Sequence, residues 1–150
     1  MSYENVLNLI SQLQALSESN TKIDIEAKLR IKLPIEYKQF LLSEFKNPPI
    51  KDEFEFTLND QTSSSAIAYF LELTNNENRS ITNFIDTYKN RIPVNTTPIA
   101  YDNFGNLILI ENNSGKIYFW DHEVNDDDNC SLSDLGFIAN SFTKFINGLK

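Results

Sequence analysis

Leu107-Ile108-Leu109-Ile110-Glu111-Asn112-Asn113-Ser114-Gly115-Lys116-Ile117-Tyr118-Phe119-Trp120 is the stretch on which the fold turns. Two short apolar runs flank Asn112-Asn113-Ser114-Gly115, whose amides, hydroxyl and glycine suit a tight reversal. The pattern predicts a hairpin in which Leu107 to Ile110 pairs with Ile117 to Trp120. Just upstream, Pro98-Ile99-Ala100-Tyr101 reads as extended and Asp102-Asn103-Phe104-Gly105-Asn106 as a turn, so a further strand precedes the hairpin. Gly105 and Gly115 are expected at positive φ in these turns, since neither has the spacing or the following helix of a phosphate loop.

Working outward, Ser80 precedes Ile81, Phe84, Ile85 and Tyr88, which share one helical face, and the pattern ends at Ile92-Pro93. Phe54 to Leu58 alternates apolar with polar residues, and Ala66 to Leu73 is a short apolar run; both predict strands. Pro34 suits the first position of a helix carrying Tyr37, Phe40 and Leu41, which should stop before Pro48-Pro49. Nearer the start, Val6, Leu9, Ile10, Leu13 and Leu16 recur at helical steps. Thr21 with Asp24 could cap a second helix through Ile25 and Leu29. Beyond the hairpin, Val124 to Ser131 reads as an exposed loop. Ser133 is expected to cap a final helix whose Leu135, Ile138, Phe142, Phe145 and Leu149 face the core.

With 150 residues, 41% of them hydrophobic, the chain fits one domain spanning 1–150. Its 13 Lys plus Arg against 21 Asp plus Glu give a formal charge of -8. That charge repels phosphate backbones and anionic lipid over about 8 Å, which argues against direct nucleic-acid or membrane binding. It would also steer a basic protein partner inward. The single cysteine, Cys130, has no partner for an internal disulfide, and the opening Met1-Ser2-Tyr3-Glu4-Asn5 has neither a basic start nor an apolar stretch. A cytoplasmic protein, with the monomer favoured, is expected.

Four stretches occur in an order and spacing that point to one family. They are Leu33-Pro34-Ile35-Glu36-Tyr37-Lys38-Gln39-Phe40-Leu41, Pro98 to Asp102 followed by Gly105-Asn106, Gly115 to Glu123, and Ile138 to Ile146. Together they resemble the SUKH superfamily, in its Smi/Knr branch. The resemblance implies an α+β fold in which a mixed, mostly antiparallel sheet packs against helices, as a single SUKH-like domain. In one respect the chain departs from it: many members carry a Gly-rich turn where this chain has Phe45-Lys46-Asn47-Pro48-Pro49. Bacterial members are chiefly immunity proteins that neutralise toxin domains of polymorphic or contact-dependent systems. Fungal relatives are regulatory and scaffolding proteins, which is the alternative reading.

The residues suggest no catalytic or cofactor-binding set. Asp121-His122-Glu123 with Asp126, Asp127 and Asp128 contains carboxylates and an imidazole that zinc or manganese accepts. Adjacent side chains on an extended segment point to alternate sides, however, and no second His or Cys completes a tetrahedral set. Trp120 is expected to pack in the sheet, with Asp121 and His122 forming hydrogen bonds where the strand turns. A nucleophilic triad would need Ser or Cys activated by a base, and His122 is the only histidine in the chain, while an acidic loop around Cys130 would disfavour its thiolate. The aspartate run lacks the glycine and terminal glutamate of an EF-hand loop. No metal site is therefore expected.

The expected partner is a cognate toxin domain. A nuclease is the natural candidate, because nucleases present basic surfaces that an acidic inhibitor can cover. Asp102, Asp121, Glu123, Asp126, Asp127 and Asp128 are the candidate partner-binding residues, set against the alternative that they form only a solvated loop.

Overall fold

The structure, a computed structural model, describes residues 31–125 and 130–150. The two helices expected before Ile31 and the aspartates at 126–128 lie outside the described residues. Within them the order is α1 (Ile35–Leu42), β1 (Glu53–Leu58), β2 (Gln61–Ala66), β3 (Tyr69–Phe70), α2 (Ile81–Tyr88), β4 (Thr96–Tyr101), β5 (Leu107–Glu111), β6 (Ile117–Trp120), β7 (Gly136–Ala139) and α3 (Phe142–Asn147). The strands form one seven-stranded sheet in the order β2-β1-β7-β6-β5-β4-β3, and all pairings between them are antiparallel. A lone parallel bridge joins Glu72 to Ser80. The fold is α+β.

The hairpin is where its residues put it: Leu107 faces Trp120 and Ile110 faces Ile117. All five residues of β5 are buried, because both faces of the sheet are covered there. Alternation sends Ile108, Ile110, Ile117 and Phe119 to one side, against Tyr37 and Leu41 of α1 and Phe142 and Phe145 of α3. Leu107, Leu109 and Trp120 go to the other side with Ile92 and Leu135. Burying each such side chain contributes about 1.5–3 kcal/mol. Tyr37 Oη and Trp120 Nε1 are carried inside without a hydrogen-bond partner among the described residues. Burial pushes the Tyr37 phenol far above its ordinary range, and the Arg91 guanidinium lies over the Trp120 ring, 5.2 Å from its centroid.

Two expected elements are corrected. The final helix does not begin at Ser133. Leu132–Asp134 is a short 3-10 turn, Gly136–Ala139 is strand β7, and the helix starts at Phe142, where the Ser141 hydroxyl accepts from Lys144 N–H at 3.2 Å. Leu135 and Phe142 are spaced as if on one helical face, yet they enter cores on opposite sides of the sheet. A glycine suits β7 because a Cβ on Gly136 would stand 2.5 Å from Phe56 Cδ2. The run Ala66 to Leu73 is not one strand either: Ala66 closes β2, and only Tyr69 and Phe70 form β3.

That split curls the sheet. β2 and β3 are its two edges, yet Tyr69 follows Ala66 by three positions, a reach of at most about 11 Å. Six spacings of about 4.8 Å would hold the edges of a flat sheet about 29 Å apart. The edges must therefore turn toward each other. A side-chain amide stands in for a strand neighbour on β3: Asn47 Nδ2 donates to the Phe70 carbonyl at 2.8 Å and Phe70 N–H donates to Asn47 Oδ1 at 2.9 Å. The Phe45 to Pro49 loop thus blocks that edge. No helix among the described residues is long and apolar enough to cross a membrane.

Candidate functional site

At one end of the sheet two turns stand side by side, Asp102 to Asn106 after β4 and Asp121 to Asn125 after β6. Each begins with Asp and ends with Asn four residues on. In the first, Asp102 Oδ1 accepts from the N–H groups of Phe104 and Asn106, both at 2.9 Å. Asp102 Oδ2 accepts from Asn106 Nδ2 at 2.9 Å and from the Ser65 hydroxyl at 3.0 Å. Gly105 adopts a φ of 87°, a conformation that a side chain would strain.

In the second turn, Asp121 Oδ1 accepts from the Glu123 N–H at 2.9 Å, and Asn125 N–H donates to the Asp121 carbonyl at 2.7 Å. Asn125 Oδ1 accepts from the Asp121 N–H at 3.1 Å, while its Nδ2 donates to the Asp134 carbonyl at 3.0 Å. Asn125 is buried, as Asn106 is.

His122 joins the two turns. Its N–H donates to Asn106 Oδ1 at 3.1 Å, and its Nδ1 lies 2.7 Å from the same oxygen. Because Asn106 Nδ2 is directed at Asp102, the amide oxygen faces the imidazole, and Nδ1 is placed to donate to it. The ring lies over Gly105, where a Cβ would meet it at 3.4 Å. This glycine therefore leaves room for the contact between turns as well as supplying the turn's dihedral.

The sequence-derived candidates separate here. Asp102 is 2% exposed, with both oxygens occupied, so it organises its turn and presents nothing outward. Asp121 is half-buried and partly engaged by its own turn, whereas Glu123 is exposed. Asp126, Asp127 and Asp128 lie outside the described residues. Sequence reasoning missed two side chains that the turns hold in solvent, Phe104 at 75% and Val124 at 68% exposure. The signal was present: an apolar residue inside a five-residue Asp-to-Asn turn has no core within reach. Of the three other exposed large apolar residues among those described, Ile35, Ile50 and Val94, the first and last belong to the opposite end of the hairpin, where Pro34 approaches Gly115 and Asn95 bonds Asn112.

As chemistry, the site offers shape, apolar surface and negative charge. The Cys130 thiol donates to the Arg91 carbonyl at 3.7 Å, on the Trp120 side of the sheet. Among the described residues no three His, Cys, Asp or Glu side chains gather closely enough to hold a metal ion.

Comparison with known proteins adds a family. The SMI1 / KNR4 family (SUKH-1) matches residues 21–148. The chain is also 32% identical over 141 residues to the SPbeta prophage-derived uncharacterized protein YokK of Bacillus subtilis (strain 168), covering 84% of this chain and 71% of that protein. No solved structure matches.

Proposed function

We propose, from the premise that this chain belongs to the SMI1 / KNR4 family (SUKH-1), that it is a non-catalytic immunity protein. It would bind and neutralise one cognate toxin domain of a bacterial polymorphic or contact-dependent toxin system. The observation that carries a docking role is the pair of cross-bonded turns holding Phe104 and Val124 in solvent beside Glu123. Aromatic anchors dominate binding energy at protein interfaces, and an anchor whose backbone is already fixed by hydrogen bonds loses less entropy on docking than one on an unstructured loop. Asp121, Glu123 and the aspartates 126–128 would steer a basic toxin face, such as that of a nuclease, toward these anchors. The mechanism is steric and electrostatic. The prophage origin of the Bacillus relative accords with a role in competition between bacterial lineages.

Co-expression with the toxin domain encoded in the neighbouring reading frame tests this. The original protein should restore growth, and Phe104→Glu, folded and equally stable, should not. Full protection by both Phe104→Glu and Glu123→Lys would remove the docking role of this end of the sheet. Failure to protect, with cellular proteins co-purifying instead, would favour a regulatory or scaffold role.

A further inference from the structure

β2 is the open edge of the sheet. The opposite edge, β3, is two residues long and blocked by the Asn47 amide, whereas β2 pairs with β1 in unbroken register over six residues. The two-residue turn Asn59-Asp60, left-handed at both positions, makes Leu58 and Gln61 a hydrogen-bonded pair, and such pairs then recur at Phe56 with Ser63 and Phe54 with Ser65. Glu53 confirms this phase, because its N–H and carbonyl turn away from β2 and bond Lys150 at 3.2 and 3.1 Å. The N–H and carbonyl groups of Thr62 and Ser64 therefore point away from β1, and none of the described residues bonds them. Gln61 to Ser64 are exposed. Sheet edges are ordinarily blunted by proline, charge or a bulge. Gln61-Thr62-Ser63-Ser64-Ser65-Ala66 contains no proline and no charge, and its pairing has no bulge.

Backbone donors and acceptors repeating along a line at about 7 Å are matched by another extended chain, and not by a helix, which bonds its own. The two faces of the edge narrow the side chains that such a chain carries. On one face Ser64 lies beside Glu55 and Ala66 beside Glu53; on the other, Ser63 lies beside the half-buried Phe56. An added strand stands two spacings, about 10 Å, from β1, and the short serines and alanine between leave long side chains free to reach across. Lys150 balances Glu55 at 3.7 Å, but Glu53 and Asp60, exposed at the two ends of the β1–β2 ladder, have no ion pair among the described residues. A second copy of the chain would bring the same carboxylates and a charge of -8. Complementarity therefore selects a basic strand from another protein.

We propose that β2 accepts an extended strand of a protein partner as an eighth strand of the sheet, with basic residues on the Glu53 face and apolar residues on the Phe56 face. The Ser65 hydroxyl donates to the Asp102 carboxylate at 3.0 Å, so the added strand lies beside the turn that displays Phe104. The inference rests on the docking reading in assigning both contacts to one partner, but its test needs no toxin.

Titration of the full ¹⁵N-labelled chain with a capped hexapeptide alternating lysine and valine, read by amide hydrogen exchange, tests it. Saturable binding should protect the N–H groups of Thr62 and Ser64, while those of Ser63 and Ser65, already bonded to β1, change little. Ser64→Pro removes an outward N–H without breaking a bond to β1 and should weaken binding about tenfold. Ser64→Lys keeps the backbone, sets like charge against the peptide and should weaken binding several-fold. The proposal fails if no saturation occurs at millimolar peptide, if protection appears elsewhere, or if a glutamate-valine peptide binds as well. It fails also if both variants, with otherwise unchanged spectra, bind like the original protein. Sedimentation equilibrium should show the chain alone as a monomer; dimers that Ser64→Pro dissociates would make a second copy the occupant and overturn the proposal. Loss of protection in the growth assay, by contrast, counts against the immunity reading and leaves these outcomes unchanged.

Discussion

The Ser65 hydroxyl donates to the Asp102 carboxylate at 3.0 Å, joining edge strand β2 to the turn that leaves β4 near the opposite end of the strand order. This bond is possible only because the sheet curls. It also links the fold to the candidate docking surface, since the same carboxylate holds the turn that displays Phe104.

Asp102→Ala should therefore cost about 3 kcal/mol, as hydrogen bonds to a buried charge are lost and backbone donors are stranded. Ser65→Ala should cost about 1 kcal/mol. Urea unfolding of both single variants and the double variant measures their coupling, expected at about 0.5 kcal/mol or more; strict additivity would mean that the two groups act independently.

Trp120 and Phe142 lie on opposite sides of the sheet, both buried. Trp120→Ala and Phe142→Ala should each destabilise the protein by about 3–5 kcal/mol. Chemical denaturation gives the values, and losses below about 1 kcal/mol at both sites would contradict this packing.

Gly136→Ala tests the placement of β7. The new Cβ would meet Phe56, whose ring is stacked on Phe119 at 4.2 Å and cannot swing away freely. A loss of about 1–3 kcal/mol is expected. A neutral or stabilising result in thermal melts would show that β1 and β7 are further apart.

Burial acts to raise the Glu111 carboxyl, but hydrogen bonds from Ser114 and Asn113 outweigh it and hold the group below its ordinary value of 4.5. A lowered folded value means that this carboxylate's stabilisation is complete above 4.5 and disappears as pH falls through the lower folded value. Melting temperature against pH should fall in that acid window for the original protein and fall less steeply for Glu111→Gln. Parallel curves would assign no linkage to this carboxylate.

Association with the proposed toxin partner should slow between about 50 and 500 mM salt, while dissociation changes little. Replacing Asp126, Asp127 and Asp128 together by Asn removes three charges with little change in shape. Stopped-flow rates should then be slower and less dependent on salt. Unchanged rates would place the steering charges elsewhere, with Glu123 the next to test.

The β5–β6 hairpin, the turn before it and helix α2 were legible because their signals are local. Two apolar runs around Asn112 to Gly115, and Ser80 whose hydroxyl accepts from Asn83 N–H, reveal themselves within a dozen residues. Strand β2 was not: Gln61 to Ala66 is mostly exposed and carries no apolar alternation, and it is held by backbone pairing and by the left-handed Asn59-Asp60 turn. β7 was hidden because Leu135 and Phe142 imitate a helical face while serving different cores.

The sequence by itself determined the family resemblance, the α+β class, the turns and the chemistry they contain. Only the tertiary structure decided which carboxylates are free and which apolar residues face solvent. Asp102 and Glu123 look alike in a turn-rich, acidic sequence, but Ser65 and Asn106 close around one and not the other. Periodicity and turn chemistry act between near neighbours, whereas exposure depends on distant segments converging, here through the curl that brings β2 to the end of β4.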